Sequence, residues 1–498
     1  MTNRKRWLSA GLSMLFALAF ALVFYSFNTP LGPSVGSDNA IYLTMGTAMA
    51  RGYAPYTEIF DHKGPLLFIL QAIPQAIAGG YSTLAVFVQQ VVFLFACLRV
   101  IDAIASRMGV RCTEAAQLTY IALLASLVGG GNLTEEYTNL FTLLGLYIIL
   151  RVFDRPLEGR TGRSFFIPAA ALGALTMLCL LTRANNALPV CGMIAALSIV
   201  LLAQRRFAAL GWCALGMAAG CALTALPVVL WLWAHGALSQ AFYGSIIHNM
   251  MYSETAGESR LLKLLTSSYG HYAIFMAAMT CLGALALLIR TRRIALPLAM
   301  AAGAAMGGLA AFISHKYYPH YLVLSAPASV MGMCALLAEI ERPGGRRRLT
   351  GLAFVMLLCA ARLAQRGSVT NAWRLSERVG AEEFDRQAQA LYALVPEEER
   401  DRFMAYRVEP KWYVSAEALP CMRFYFLQET LAQADPAVMD EIVAEFESDP
   451  PKWLVIYYNR EFGPPYDPRV AQIFEEDYEF VDAQGQYQLR RLKEADDE

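Results

Sequence analysis

The chain contains many uninterrupted apolar runs of about twenty residues, the length that an α-helix needs to cross the hydrocarbon core of a bilayer. Hydrophobic residues make up 56% of its 498 residues and charged residues only 16%, which excludes an ordinary polar protein surface. The sequence therefore predicts a polytopic helical membrane protein. Eleven spans are predicted, near residues 7–27, 83–105, 113–130, 137–153, 165–182, 186–203, 208–234, 271–290, 294–313, 320–338 and 349–364.

The arginines and lysines fall on alternate loops between these spans. Short cytoplasmic loops carry an excess of both residues, and one orientation places every cluster inside if the apolar stretch 65–79 is a short interfacial or re-entrant helix. The tail from about residue 365 then lies outside the cytoplasm. The clusters are Arg4-Lys5-Arg6, Arg107 with Arg111, Arg155 with Arg160 and Arg163, Arg205-Arg206, Arg292-Arg293 and Arg346-Arg347-Arg348.

The tail has a different composition, with more charge and with strand-like runs between amphipathic helical ones. We predict two domains, a transmembrane domain over 1–364 with its first outer loop at 28–82, and a small α/β domain over 365–498. The 41 basic and 41 acidic residues balance, so nothing indicates a nucleic-acid partner. Within the tail, strands are predicted at 403–408 and 453–458, helices at 436–446 and 467–478, and a hairpin with strands 478–481 and 487–489 around Gly485.

Unusual polar residues concentrate in the loops on the predicted outer face. Ionisable groups beside a membrane are costly unless they are paired or used, and several helix ends on one face can form a cleft between helices. We therefore expect one extracytoplasmic site. The contributing segments are 28–64, 129–137, 182–186, 235–270 and 314–321.

These segments share their order with a known family. An aspartate follows the first span, and then come Arg51-Gly52, Pro55-Tyr56, Phe60-Asp61-His62-Lys63-Gly64-Pro65, Thr134-Glu135-Glu136-Tyr137, Arg183 and Tyr318-Pro319-His320-Tyr321. The pattern resembles the C-type (GT-C) membrane glycosyltransferases, in the branch with protein mannosyltransferase-like, aminoarabinose-transferase-like and Rgt-type enzymes. The resemblance covers most of the chain. It implies transfer of a sugar from a polyprenyl-phosphate donor to an acceptor outside the cytoplasm, usually with inversion.

The resemblance assigns the catalytic acidic residue to Asp38. Inverting transfer needs a carboxylate that accepts the proton of the attacking hydroxyl, and Asp38 is our candidate for this general base. The family more often has a second acidic residue or a proline next to it, whereas this chain has Asn39. Asp61 and Glu135 are the alternatives for a second carboxylate.

A phosphate leaving group needs cations that bind it more strongly as its charge grows. Lys63, Arg183 and Lys316 are predicted to supply them from three helix ends, with His320 in contact with the donor. No pattern in the sequence requires a cofactor. A divalent cation remains an alternative if the side chains of Asp38, His62 and Glu135 converge. The other candidates are Tyr317, Tyr318 and Tyr321 for the sugar pocket or membrane interface, Glu136 for the site, and Asp38, His62 and Glu135 for the cation.

Simpler interpretations compete with these assignments. Asp38 and the two glutamates at 135 and 136 suit the first turn of a helix, and Lys63 or Arg183 can contact lipid headgroups. A transporter or lipid flippase, or a scaffold, also has many spans, but transporters tend to carry internal repeats and midplane charges, which are not evident here. We expect a multi-pass protein of the cytoplasmic membrane whose acceptor is a cell-envelope glycan, a lipid or a protein.

Overall fold

The structure is a computed structural model that describes residues 3–32, 36, 38–154, 156–157, 159–254, 267–313, 317–342, 345–458 and 466–494. Most of these residues are helical. The α-helices are α1 (Asn3–Phe24), α2 (Asp38–Ala50), α3 (Pro65–Ala78), α4 (Thr83–Arg107), α5 (Thr113–Leu124), α6 (Thr134–Phe153), α7 (Phe166–Thr182), α8 (Leu188–Ala203), α9 (Phe207–Ala234), α10 (Leu238–Phe242), α11 (Asn249–Glu254), α12 (Ser268–Thr291), α13 (Ala295–Phe312), α14 (Ala326–Glu341), α15 (Gly345–Tyr392), α16 (Lys411–Ala416), α17 (Gln428–Ala434), α18 (Ala437–Ser448) and α19 (Pro468–Glu476).

Shorter elements connect these helices. Short 3-10 helices cover Gly162–Phe165, Ala184–Ala187, Pro319–Ser325 and Glu397–Arg402, and a π-helix covers Tyr243–His248. The strands are β1 (Phe403–Tyr406), β2 (Trp453–Tyr457), β3 (Tyr478–Gln484) and β4 (Tyr487–Leu492).

Among the described residues, ten helical segments are long and apolar enough to cross a membrane, and they match ten of the eleven predicted spans. The eleventh prediction, 113–130, is wrong as a helix. It contains only α5, which has 12 residues, while residues 125–133 are not helical. Hydropathy does not distinguish apolar residues that face lipid from those buried against protein, and nine of the 12 residues of α5 are buried. The 65–79 prediction is confirmed as a short apolar helix, α3.

The segment from α5 to residue 133 runs alongside α1. The Ser13 hydroxyl donates to Gln117 Oε1 at 3.0 Å, and the Phe27 amide donates to the Gly130 carbonyl at 3.2 Å. A Cβ at Gly130 would lie 2.5 Å from the Phe27 ring, and its φ is +115°. Glycine is therefore required for this close approach, and non-helical backbone is tolerated here because it is buried in protein.

The chain divides into two compact units. The first unit contains Met1–Leu31, Phe87–Trp231 and Ala256–Trp373, and the second contains Gly32–Val86, Leu232–Thr255 and Arg374–Glu498. The boundaries fall inside α4, α9 and α15. The predicted domain division at residue 365 stays a prediction, since α15 continues through it as one helix.

Several of the arginine-bearing loops of the first unit meet at one end of it. Arg107 pairs with Asp154 at 2.6 Å, and Arg206 donates to the carbonyls of Leu157 and Arg160. These contacts link loops that the positive-inside pattern placed on one side. The remaining contacts at this end join Arg290 to the Met108 carbonyl, and the amides of Arg111 and Cys112 to the Glu341 carboxylate.

The second unit carries one four-stranded sheet in the order β1-β2-β4-β3. β1 and β2 are parallel, whereas β4 is antiparallel to both β2 and β3. This confirms the predicted small α/β fold of the tail, and β3 with β4 forms the predicted hairpin at Gly485. The hairpin strands are longer than predicted because their exposed, charged faces hide the alternation.

In the second unit, α2 and α3 pack closely and hold the first outer loop between them. A Cβ at Gly46 would lie 2.6 Å from the backbone carbon of Gln71, so a residue without a side chain is needed at this contact. The C-terminal chain supports the same region. Tyr425 donates its hydroxyl to the Ile41 carbonyl at 3.1 Å, and the Phe60 amide donates to the Arg423 carbonyl at 3.0 Å.

Candidate active site

Three consecutive residues of the second unit form a compact charged cluster just before α3. Asp61 is fully buried, and its Oδ1 accepts the His62 amide at 2.6 Å and lies 3.0 Å from His62 Nδ1 and 3.5 Å from Lys63 Nζ. Lys63 Nζ lies 2.8 Å from His62 Nε2. An ammonium can only donate, so Nε2 is the acceptor, and Nδ1 carries the proton toward Asp61.

The second oxygen of the Asp61 carboxylate is the unusual feature of this cluster. Oδ2 is buried and has no hydrogen-bond partner among the residues that the structure describes. Buried carboxylate oxygens are normally satisfied, and an orphan is costly. The Asp61 Oδ2 atom therefore has unused capacity to accept a hydrogen bond.

Electrostatics fix the protonation of the cluster. Burial raises the pKa of Asp61, but the Lys63 ammonium and His62 outweigh that effect and hold it below its usual range. For His62, burial and the Lys63 ammonium lower the pKa to about 4, against the opposing effect of Asp61. At neutral pH Asp61 is thus a carboxylate and His62 a neutral imidazole.

The low pKa of His62 predicts loss of stability in mild acid. Between pH 6.5 and about 4 the unfolded chain binds a proton at His62 that the folded protein does not, so the stabilisation is complete above pH 6.5 and is lost as the pH falls toward 4. The total is on the order of 3 kcal/mol. Thermal unfolding of the purified protein across this range measures the effect.

The His62→Gln variant serves as the test for that assignment. It should flatten the decline between pH 6.5 and 4, whereas His271→Gln, at an exposed histidine of the first unit, should leave the decline unchanged. An unaltered decline in His62→Gln would assign the titration to another group. The contribution of the Asp61 carboxylate to stability is separate from that of His62. It is lost only below about pH 3.8, the ordinary pKa of an aspartate.

Neighbouring side chains position the cluster from several directions. The Tyr56 hydroxyl donates to the Lys63 carbonyl at 2.7 Å, and Asn249 donates its side-chain amide to the His62 carbonyl at 2.5 Å. Sequence reasoning did not identify Tyr56 or Asn249 as site residues. Tyr56 was part of the family pattern, and its φ of +70° is unusual for a non-glycine residue; Asn249 gave no signal beyond its place in a long outer segment.

Asp38 is the first residue of α2 and is exposed. Its carboxylate lies at a helix N-terminus, where the helix dipole favours negative charge. Tyr42 follows one turn later on the same face, and Lys63 Nζ lies 5.8 Å from the centroid of the Tyr42 ring. The structure thus places Asp38 one helical turn from the aromatic ring beside the Lys63 ammonium.

A second cluster lies in the first unit, where three breaks between helices meet. Glu135 at the start of α6 is buried and accepts a hydrogen bond from Arg183 Nη1 at 2.8 Å. Arg183 lies in the break after α7 and also donates from Nη2 to the Tyr321 hydroxyl at 3.0 Å. Its guanidinium lies 4.6 Å from the Tyr321 ring centroid. Of the predicted phosphate ligands, Arg183 is therefore already paired with a carboxylate.

Two further predicted residues extend this second cluster. The His320 ring packs edge-on against Tyr321 with centroids 4.7 Å apart, and it stacks on Tyr318 at 5.5 Å. Such a surface of aromatic rings can bind the apolar face of a sugar. Glu136 has a different place, since its Oε2 accepts the Leu133 amide at 3.0 Å and closes the first turn of α6. Lys316 lies outside the described residues.

Breaking the buried pair in the first unit should destabilise the protein. Arg183→Leu leaves the Glu135 carboxylate buried without its cation, and we expect a loss of about 3–5 kcal/mol. The double variant Arg183→Leu/Glu135→Leu removes both charges and should recover most of the loss. Thermal unfolding in detergent compares the two. If both variants were equally destabilised, the unpaired charge of Glu135 would not be the cause of the lost stability.

No group of three His, Cys, Asp or Glu side chains among the described residues is placed to hold a metal ion. Of the side chains considered for a cation, Asp38 and His62 belong to the second unit and Glu135 to the first. Whether the reaction uses a divalent cation stays a prediction.

Comparison with known proteins identifies the fold. No protein-family model matches the sequence, and no curated protein matches it either. Among solved structures, ArnT from Cupriavidus metallidurans bound to undecaprenyl phosphate is similar over 96% of this chain and 97% of that one, with a TM-score of 0.63 and 13% identity. The chain has the GT-C fold.

Two further structures agree with that assignment. ArnT from the same organism in the apo state has a TM-score of 0.61 and 13% identity over 98% of each chain. The archaeal oligosaccharyltransferase AglB from Archaeoglobus fulgidus, in complex with an inhibitory peptide and a dolichol-phosphate, has a TM-score of 0.53 and 12% identity over 91% of this chain and 70% of that one. The GT-C resemblance predicted from the loop motifs is confirmed at the level of the fold.

Proposed function

We propose that the protein is a membrane glycosyltransferase that moves a sugar from a polyprenyl-phosphate donor to an extracytoplasmic acceptor, with inversion at the anomeric carbon. The observation that carries this proposal is the GT-C fold, shared over 96% of the chain with a protein whose structure contains undecaprenyl phosphate. Fold alone does not specify chemistry. The cluster of the second unit supplies a carboxylate and an ammonium, which are residue types that this reaction needs.

Asp38 is the general base in this proposal. A carboxylate that takes the proton of the attacking hydroxyl contributes to the rate as the sugar–phosphate bond breaks. Its exposed place at the start of α2 gives an acceptor hydroxyl access to it. Asp61 then orients a substrate hydroxyl. Its Oδ2, which has no partner among the described residues, accepts the hydrogen bond that this hydroxyl donates.

Lys63 binds the phosphate of the donor. Its ammonium has three donors, and the neighbours found for it are one imidazole nitrogen and one carboxylate oxygen at the longer distance of 3.5 Å. A leaving phosphate gains charge during transfer, so a positioned ammonium binds it more tightly in the transition state than in the ground state. Arg183 and Lys316 are further cationic candidates, and His320 with Tyr318 is a candidate surface for the sugar.

We further propose that the protein lies in the cytoplasmic membrane, with its catalytic residues and its C-terminal α/β domain on the extracytoplasmic face. This orientation rests on the positive-inside pattern and on the meeting of arginine-bearing loops at one end of the first unit. The acceptor is a cell-envelope glycan, a lipid or a protein. No cofactor is assigned, and a divalent cation is left to experiment.

The test is release of polyprenyl phosphate by the purified full-length protein from a panel of polyprenyl-phosphate sugars, with membrane extract as the acceptor source. Release that depends on one sugar donor is the expected result. The same protein is also reconstituted in liposomes with a fluorescent lipid. Lipid translocation without release from any donor would overturn the transferase and favour a flippase. Repeating the assay with a chelator settles whether a divalent cation takes part.

A further inference from the structure

A cavity of about 510 Å³ opens at the arginine-rich end of the first unit. Its size falls within the range of about 300–1,000 Å³ that is usual for small-molecule sites. The ends of α4, α6, α8 and α12 and the start of α13 form its walls. None of the candidate catalytic residues lines it, so it is separate from both clusters described above.

The arginines that line the cavity carry more positive charge than the nearby carboxylates neutralise. Arg107 is neutralised by Asp154 at 2.6 Å. Arg290 donates to the Met108 carbonyl, and among the described residues its one carboxylate partner is Glu339 at 3.9 Å. Glu339 is shared, because it lies closer to Arg342, at 2.8 Å. Arg293 also lines the cavity and makes no ion pair with any residue that the structure describes.

The start of α13 adds to this positive potential. Ala295 and Leu296, its first two residues, line the cavity, and no side chain caps the helix at Ile294. Free amide groups at a helix N-terminus attract anions. Two independent features, the surplus arginines and the uncapped helix, therefore favour an anionic ligand in the same cavity.

The cavity also presents apolar surface. Leu150, Phe153 and Leu287 are among its lining residues but are already buried, so the apolar surface open to a ligand is mainly that of Ile294, which lines the cavity and is 63% exposed. A small inorganic anion would leave this apolar surface uncovered, whereas an amphiphile covers it while its charged group contacts the arginines. Basic pockets between transmembrane helices on the cytoplasmic side are typical sites for anionic lipid headgroups.

We propose that this cavity binds the headgroup of an anionic glycerophospholipid, with the phosphate at Arg290 and Arg293 and the upper acyl carbons on the exposed side chain of Ile294. Such a ligand joins α12 and α13 to the ends of α4 and α6, and so fixes the arginine-rich end of the bundle. The inference does not rest on the proposed transferase activity, since binding is measured without a sugar donor.

Native mass spectrometry of the full-length protein in detergent, titrated with phosphatidylglycerol or phosphatidylcholine, tests the proposal. Wild type should prefer phosphatidylglycerol. The variant Arg290→Gln/Arg293→Gln should raise its Kd by about 25-fold, which is roughly fivefold for each charge removed. Arg292→Gln is the matched control, because Arg292 is a neighbouring exposed arginine outside the cavity lining, and its Kd should change less than about twofold.

Three outcomes overturn the proposal. They are equal binding of the two lipids by wild type, equal Kd values in the double variant and the Arg292→Gln control, and full displacement of the lipid by millimolar inorganic phosphate, which would make the cavity a site for free anions. Thermal unfolding without added lipid checks that the double variant folds. If it does not, Arg293→Gln alone, at an exposed residue, should show the fivefold loss.

Discussion

Replacement of Asp38 by asparagine is expected to reduce sugar transfer by about 10³-fold, the middle of the range for loss of a general base. The amide has nearly the same size but cannot accept the proton of the attacking hydroxyl. Donor binding should be retained, because the proposed contact to the donor phosphate is made by Lys63. The measurement is a comparison of kcat and of donor KM in the polyprenyl-phosphate release assay, with the fall confined to kcat.

A structural role for Asp38 would give a different result. As a first-turn carboxylate it contributes about 0.3–1 kcal/mol through the helix dipole, which alters the melting temperature slightly and transfer hardly at all. Glu114→Gln removes a first-turn carboxylate from α5 and controls for that effect. Transfer by Asp38→Asn at a third or more of the wild-type rate would refute the base assignment, and Asp61 would become the next candidate.

Lys63→Met should lower kcat/KM for the donor by about 10²- to 10³-fold, which is typical for loss of one positioned group that stabilises developing charge. The ammonium lies against His62 Nε2 and near Asp61 Oδ1, so its loss also leaves the buried Asp61 carboxylate with less compensation. A fall in stability is therefore expected together with the loss of donor use.

The double variant Lys63→Met/Asp61→Asn separates these two effects. Removing both charges should restore stability toward that of the wild type, while donor use stays low because no ammonium is present. Recovery of transfer in the double variant would show that Lys63 serves only to balance Asp61. Lys63→Arg keeps the charge but changes its geometry, and should retain part of the activity if phosphate binding is the role.

Much of the fold follows from local sequence, because crossing a membrane requires about twenty apolar residues in a row. Ten spans were predictable for this reason. The short helix α3 was predictable from the positive-inside pattern, and the tail hairpin from its strand-like runs around Gly485. The segment 113–130 was not, since its apolar residues cover neighbouring protein and its glycines permit a non-helical path beside α1. Hydropathy measures the apolar composition of a segment. Whether that segment forms a membrane-spanning helix or a buried non-helical path depends on the protein around it.

The candidate site was predictable as a set of loops but not as a set of pairings. Asp61, His62 and Lys63 are adjacent in sequence, and the first outer loop pointed to them directly. That Arg183 would already be paired with Glu135, 48 residues earlier, depends on how α6 and α7 pack. Asn249, which supports His62, comes from 187 residues away and lies in no motif.

The shortness of α5 has a consequence for biogenesis. A helix of 12 residues is too short to partition into the bilayer alone, because about 20 apolar residues are needed. Some of its partners, such as Ser13 on α1, precede it, but others lie far along the chain, with the Arg111 and Cys112 amides bound by Glu341 and Thr119 beside Cys359. The contacts of this segment can therefore be completed only after α14 and α15 have been synthesised.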